Sequence, residues 1–242
     1  GHDVQLHLHS EVLVRHMAWP HDVTRMPAFD SLDRGTALRC IEFGVQQFNR
    51  NTGRLPTIFR PGGMRHSKAM YDAVKDIGIQ AVSAMYRRYE DNVWPLINYV
   101  PLFKMENDVV EMPLDIALDP LVCWDIFDAE IKRISGLREE HPTISLLLHS
   151  TSLLFRERTI GSAFTKYHRP YEEQLIKYLG SLSALCDFAT YTDLLKRYQP
   201  TLSVPFTKVY LNLSNVSCDL PFQILPPKDE TTQLKKIKDI NL

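Results

Sequence analysis

Three short stretches of this chain hold side chains able to do chemistry. The first is His7-Leu8-His9-Ser10-Glu11. Residues two apart on a strand point to the same side, so His7 and His9 share a face opposite Val4, Leu6 and Leu8. Two neutral imidazoles on one face can bind a divalent metal, and Glu11 offers a carboxylate beside them. Two polar side chains turned to solvent are the plainer alternative. The second stretch is Phe59-Arg60-Pro61-Gly62-Gly63. An arginine at a strand end pairs well with a carboxylate through its planar fork. Gly62 and Gly63 let a ligand or another backbone come close, or allow a positive φ. An ordinary strand-to-helix turn explains the same residues without a site. The third is Leu146-Leu147-Leu148-His149-Ser150. A histidine ending an apolar strand can act as acid or base near neutral pH, or can simply be a satisfied core histidine.

These residues need elements to position them. Val4–His9 alternates apolar and polar residues, which predicts a strand. Residues 17–33 read as a loop. Residues 34–52 place Leu38, Ile41, Val45 and Phe48 at helical spacing, with Gly53 as the stop. Residues 57–60 predict a strand that ends in the Pro61-Gly62-Gly63 turn. Ser67 is placed to cap a helix over 68–77 that Gly78 ends. Strands are expected over 79–84 and 109–112, with a loop-rich stretch over 86–107. A helix near 125–139 precedes Ile144–His149, an apolar run expected to be a strand buried on both faces. A helix over 170–185, a short strand over 188–190 and a helix over 191–198 complete the series. This alternation predicts an α/β fold with a parallel sheet, whose active site gathers at the carboxyl ends of the strands. Two units are expected: a domain over 1–200, and a C-terminal extension over 201–242, partly ordered with a mobile tip.

The chain has 242 residues, a formal net charge of -1 and a sequence pI of about 6.8. No clustered basic excess marks a nucleic-acid partner. Lys235, Lys236 and Lys238 form a basic cluster in the tail, read as a solvated face. Cys40, Cys123, Cys186 and Cys218 are too scattered for a C-x-x-C metal or redox motif. No apolar run reaches the roughly 18 to 20 residues of a membrane span. The chain opens at Gly1-His2-Asp3 and runs directly into an apolar strand without an initiator methionine. Residues are therefore expected to be missing upstream.

Taken in order, the three stretches resemble the polysaccharide deacetylase family, the NodB-type carbohydrate esterases, in the H-L-H form of its bacterial branch. Gly1–His9 is similar to the family's metal-binding segment. Phe59-Arg60-Pro61-Gly62-Gly63, followed by Asp76-Ile77-Gly78-Ile79, is similar to its arginine motif and the helix and strand beyond. Leu146–Ser150 is similar to its late Leu/His motif. The resemblance implies a distorted (β/α) barrel, with its first strand or strands absent from this chain. It implies a divalent metal, with zinc the expected ion, and hydrolysis of N- or O-acetyl groups on a polysaccharide or glycan. His149 would protonate the leaving group and Arg60 would orient an aspartate base. Leu147 would line the acetyl pocket, with Gly62 and Gly63 also lying against the substrate. Of the ligands, His7 is the firmest, while His9 and Glu11 compete for the next place, because the commoner His-x-x-x-His form has a histidine where this chain has Glu11. The family's motif with the base and ligand aspartates precedes the His segment, and nothing precedes Gly1 here. The chain as it stands is therefore expected to be inactive or nearly so; if Arg60 sits in the pocket it lacks its carboxylate partner, so either the natural protein is longer or the pocket is open and wet.

Two rivals remain. PHP-type metal phosphoesterases also open with an H-x-H strand, and Glu111 and His149 are available as further ligands, but a late D-x-H is lacking. A non-catalytic glycan-binding module would keep the fold and stack sugars on Trp19, Trp94 or Trp124. The sequence leaves location open between the cytoplasm and the envelope of a bacterial cell.

Overall fold

The computed structural model describes residues 2–15, 27–86, 100–117, 124–137, 143–148, 154–155, 166–167, 169–200 and 202–206. Within these residues ten short strands form: β1 (Leu6–Leu8), β2 (Ile58–Pro61), β3 (Ala81–Val82), β4 (Phe103–Met105), β5 (Val110–Glu111), β6 (Ile116–Ala117), β7 (Leu146–Leu147), β8 (Leu154–Phe155), β9 (Lys166–Tyr167) and β10 (Ser203–Val204). Among the described residues, five α-helices accompany them: α1 (Arg34–Thr52), α2 (Lys68–Ile77), α3 (Trp124–Leu137), α4 (Arg169–Ser183) and α5 (Tyr191–Arg197).

The helices next to the site begin and end where their caps dictate. Asp33 accepts the Thr36 N–H at the start of α1, and Ser67 accepts the Met70 N–H at the start of α2. Gly53 (φ 70°) and Gly78 (φ 83°) end these helices in the left-handed conformation that glycine adopts without a Cβ clash. Both helices keep the limits expected from the sequence.

The main sheet has the order β1-β2-β3-β5-β4-β10, and only the β4–β5 pair is antiparallel. The extended segment that carries β5 runs on through a parallel bridge between Leu114 and Tyr86 into β6, which pairs in parallel with β7. β8 and β9 form a separate antiparallel pair. The fold is thus mixed α/β with a predominantly parallel sheet. Among the described residues β1 and β10 are its two edges, and closure into a barrel is not seen.

Period two along the strands divides the sheet into two packed faces. Leu6, Phe59, Val82, Phe103 and Val204 meet Ile41 of α1 and Met70 and Val74 of α2 on one face. Ile58, Ala81 and Met112 on the other meet Leu194 and Leu195 of α5. A third cluster joins Ile116 to Ile134 of α3 and to Tyr171 and Leu175 of α4. Gln5 ties α5 to the start of the sheet. Its Oε1 accepts the Thr57 and Ile58 N–H groups, each at 3.1 Å, while its Nε2 donates to Asp3, Thr57 and Thr192. Asp3 in turn accepts the Thr192 N–H at 3.2 Å.

Several expectations need correction. The 86–107 stretch contains β4, whose Phe103 and Met105 are fully buried. The 144–149 run is not buried on both faces: it forms the two-residue β7, residues 143–147 are half-buried, and Leu148 is 39% exposed. No strand forms over 188–190. Phe188 is exposed, and Thr190 instead caps α5 in a reciprocal pair with Asp193, a local bond that competes with any ladder. The stretch after Pro200 begins inside the main core. Val204 lies parallel to β4, and Phe206 is buried against α2.

Candidate functional site at the ends of β1 and β2

The parallel register sets His7 beside Arg60 and Leu8 beside Pro61. His7 is exposed, and its Nδ1 lies 3.1 Å from the Arg60 carbonyl oxygen. A carbonyl only accepts, so the neutral ring carries its proton on Nδ1 and its lone pair on Nε2. His9 is also exposed, and its ring stands edge-on to His7 at a centroid distance of 5.0 Å. Glu11 follows in a 3-10 turn over Ser10–Arg15. Its Oε2 is buried without a hydrogen bond, 3.8 Å from His9 Nδ1.

The Arg-Gly stretch is built against this segment. A Cβ on Gly62 would sit 2.3 Å from His9 Cγ and Nδ1. The space a Cβ would need at Gly62 is thus taken by the His9 ring. Gly63 has φ 59° and is exposed in the turn. We expect Gly62→Ala to drive the His9 ring off its present position, at a cost of about 1–3 kcal/mol. Unfolding midpoints and imidazole NMR would check this, with the His9 signals moving.

Arg60 is half-buried. It donates from Nη2 to Ser83 Oγ at 3.0 Å and from Nε to the Ser83 carbonyl oxygen at 3.4 Å. Arg60 is thus half-buried rather than buried, and the next strand's continuation gives it neutral acceptors in Ser83. The same continuation carries a carboxylate. Glu111, fully buried, accepts the Ala84 and Met85 N–H groups at 2.9 Å each and the Tyr71 hydroxyl at 2.6 Å. Burial pushes its carboxyl up to about 7, while its hydrogen bonds from Tyr71, Met85 and Ala84 and the nearby charge of Arg60 pull it down. So engaged, Glu111 cannot serve as the ligand a PHP-type site would ask of it. Nearby, His66 is buried with its ring edge-on to Tyr71, and burial holds its pKa below the usual histidine value.

The predicted residues are therefore brought together in part. His7, His9, Glu11, Arg60 and Gly62 lie on adjoining strand ends. Leu147 is half-buried in β7 beside Ala117, and among the described residues no ladder joins β7 to β1 or β2. His149, Trp19 and Trp94 lie outside the described residues. Glu111, Tyr71 and Ser83 were missed as parts of the site's frame. Their signal was present: a glutamate within Val109-Val110-Glu111-Met112 and a serine within Ala81-Val82-Ser83-Ala84-Met85 are polar interruptions of apolar strands.

For a metal, the donors fit in kind. A histidine with its lone pair on Nε2, a second exposed imidazole and a buried carboxylate oxygen without a hydrogen bond are all suitable. Among the described residues, however, no three such groups converge on one point.

No family model matches the chain, and no curated protein matches it. Among solved structures, the fold is similar to the crystal structure of a protein assigned as a polysaccharide deacetylase from Mycobacterium smegmatis. The TM-score is 0.50 and the sequence identity 12%, over 74% of this chain and 64% of that one. This chain thus spans less than two thirds of that protein's length, and at this identity the likeness is one of fold.

Proposed function

We propose that this chain is a carbohydrate deacetylase domain, a hydrolase that removes N- or O-acetyl groups from a polysaccharide or glycan at the carboxyl ends of β1 and β2. One observation carries the reading. The His segment and the Arg-Gly segment, 53 residues apart in the chain, are built against each other, His7 on the Arg60 carbonyl and His9 over the bare face of Gly62. The fold likeness to an assigned polysaccharide deacetylase supports the same chemistry, and the strands are expected to continue into the (β/α) barrel of that family.

On this reading His7, His9 and Glu11 would hold a divalent ion, with zinc expected, once the three donors are drawn onto one point. Such an ion supplies a polarised acetyl carbonyl and a water acidic enough to attack it. The chain's own residues do the rest. Arg60, held on Ser83, presents positive charge at the pocket. His149 gives a proton to the leaving oxygen or nitrogen. Leu147, Gly62 and Gly63 bound the space for the acetyl group. No aspartate is assigned as base, so this chain by itself is expected to release acetate slowly at best.

Metal content decides the matter. After incubation with zinc and removal of the excess, elemental analysis should find about one equivalent in the wild type. It should find at least tenfold less in His7→Ala and His9→Ala. A wild type that keeps no metal would overturn the proposed site.

A further inference from the structure

Glu111 is buried, chemically able and unused by the proposed reaction. It sits opposite Val82 of β3 and Phe103 of β4, on the face covered by α1 and α2. Arg60 sits opposite His7 and alternates with Phe59, so its side chain leaves from the other face. The two are joined through the chain that continues β3. Glu111 Oε1 accepts both the Ala84 and the Met85 N–H, and Arg60 donates both its bonds to Ser83. Ser83 itself is held by its N–H on the Phe59 carbonyl at 2.9 Å, and Met85 by its carbonyl on the Leu114 N–H at 2.8 Å.

Three consecutive residues thus form a clamp with the guanidinium on one side and the carboxylate on the other. We propose that Glu111 is a positioning residue for Arg60, fixing the Ser83–Met85 segment on which the guanidinium rests and opposing its charge from beneath the sheet. The proposal rests on the reading of Arg60 as a site residue. It explains why a strand interior tolerates a buried acid. An apolar residue there would fill the space, but it would leave the Ala84 and Met85 N–H groups without an acceptor. Tyr71 from α2 and the apolar Phe103 from β4 face Glu111, with His66 behind the Tyr71 ring, while the Arg60 charge acts on it from the opposite face of the sheet.

The test is NMR on the whole chain, with no turnover required, so failure of the deacetylase reading and failure of this one give separate results. The Arg60 Nε–H signal, assigned by its loss in Arg60→Lys, and the Ala84 and Met85 amide signals are followed from pH 5 to pH 9. The expected result is one shared transition near pH 7, the value to which burial raises Glu111. In Glu111→Gln the Arg60 transition disappears and Nε–H exchange quickens on the order of tenfold. Amide signals that titrate while Arg60 does not would overturn the proposal, leaving Glu111 a structural residue only. So would an unchanged Arg60 signal in a folded Glu111→Gln. If that variant fails to fold, the wild-type titration alone decides.

Discussion

Glu111→Ala is expected to lower folding stability by about 3–5 kcal/mol, because it removes the acceptor of the Tyr71 hydroxyl and of two buried backbone N–H groups. Urea unfolding would read this as a lower midpoint at unchanged slope. Glu111→Gln keeps the shape and an acceptor, and its effect depends on pH. The folded-state pKa of Glu111 lies at about 7, above its ordinary 4.5. A raised carboxyl contributes its stability fully below the unfolded value and loses it as pH rises through the folded one. Relative to wild type, Glu111→Gln should therefore gain stability between pH 5 and pH 8, by an amount on the order of 3 kcal/mol. His66 works in the opposite sense. Burial lowers its pKa from 6.5, so its contribution is present above that value and fades as pH falls. It is common to both proteins and cancels in their difference. A difference that is flat with pH would mean that Glu111 is already ionised throughout.

Phe206→Ala should be nearly as damaging, at about 3–5 kcal/mol. Its ring is buried, tilted against Tyr71 at 5.5 Å and covered by the Lys68 ammonium at 5.1 Å. Its N–H is held by Glu106 Oε2 at 3.1 Å. Two residues earlier, the fully buried Val204 pairs with Met105. A chain ending at Pro200 would lack both and leave the outer edge of β4 open. Circular dichroism and urea titration of that truncation should show no cooperative native state. A truncated chain that unfolds cooperatively with the wild-type midpoint would show residues 201–242 to be a true appendage.

Much of this was legible from local chemistry. The limits of α1 and α2 follow from Asp33, Ser67, Gly53 and Gly78, because caps and left-handed stops act within one turn of the chain. The pairing of His7 with Arg60 was foreshadowed by two strand patterns with chemically able ends. What stayed hidden depends on distant parts of the chain. β4 and β10 are three- and two-residue strands about a hundred residues apart, and only their meeting pairs them. Thr190 looked like strand because its neighbours are apolar, but the Asp193 carboxylate three residues on secures it as a helix cap. Leu146–Leu148 looked doubly buried, yet apolar content alone does not say how many layers cover a strand. Glu111 was visible as a residue, while its partners lie on α2 and on the chain that continues β3, which no short-range pattern links to it.

The β4–β10 ladder also dates the completion of this fold during synthesis. β1, β2, β3 and β5 can associate once the chain through Glu111 has left the ribosome. β4 must then wait for partners about a hundred residues further on, since Lys104 sits opposite Ser203. At roughly 5–20 residues per second the delay is about 5–20 s. Throughout it, an edge flanked by Phe103 and Met105 offers free backbone groups to any passing strand. Slow translation or a shortage of chaperones should therefore lower the soluble yield of this protein more through β4 than through any other described strand.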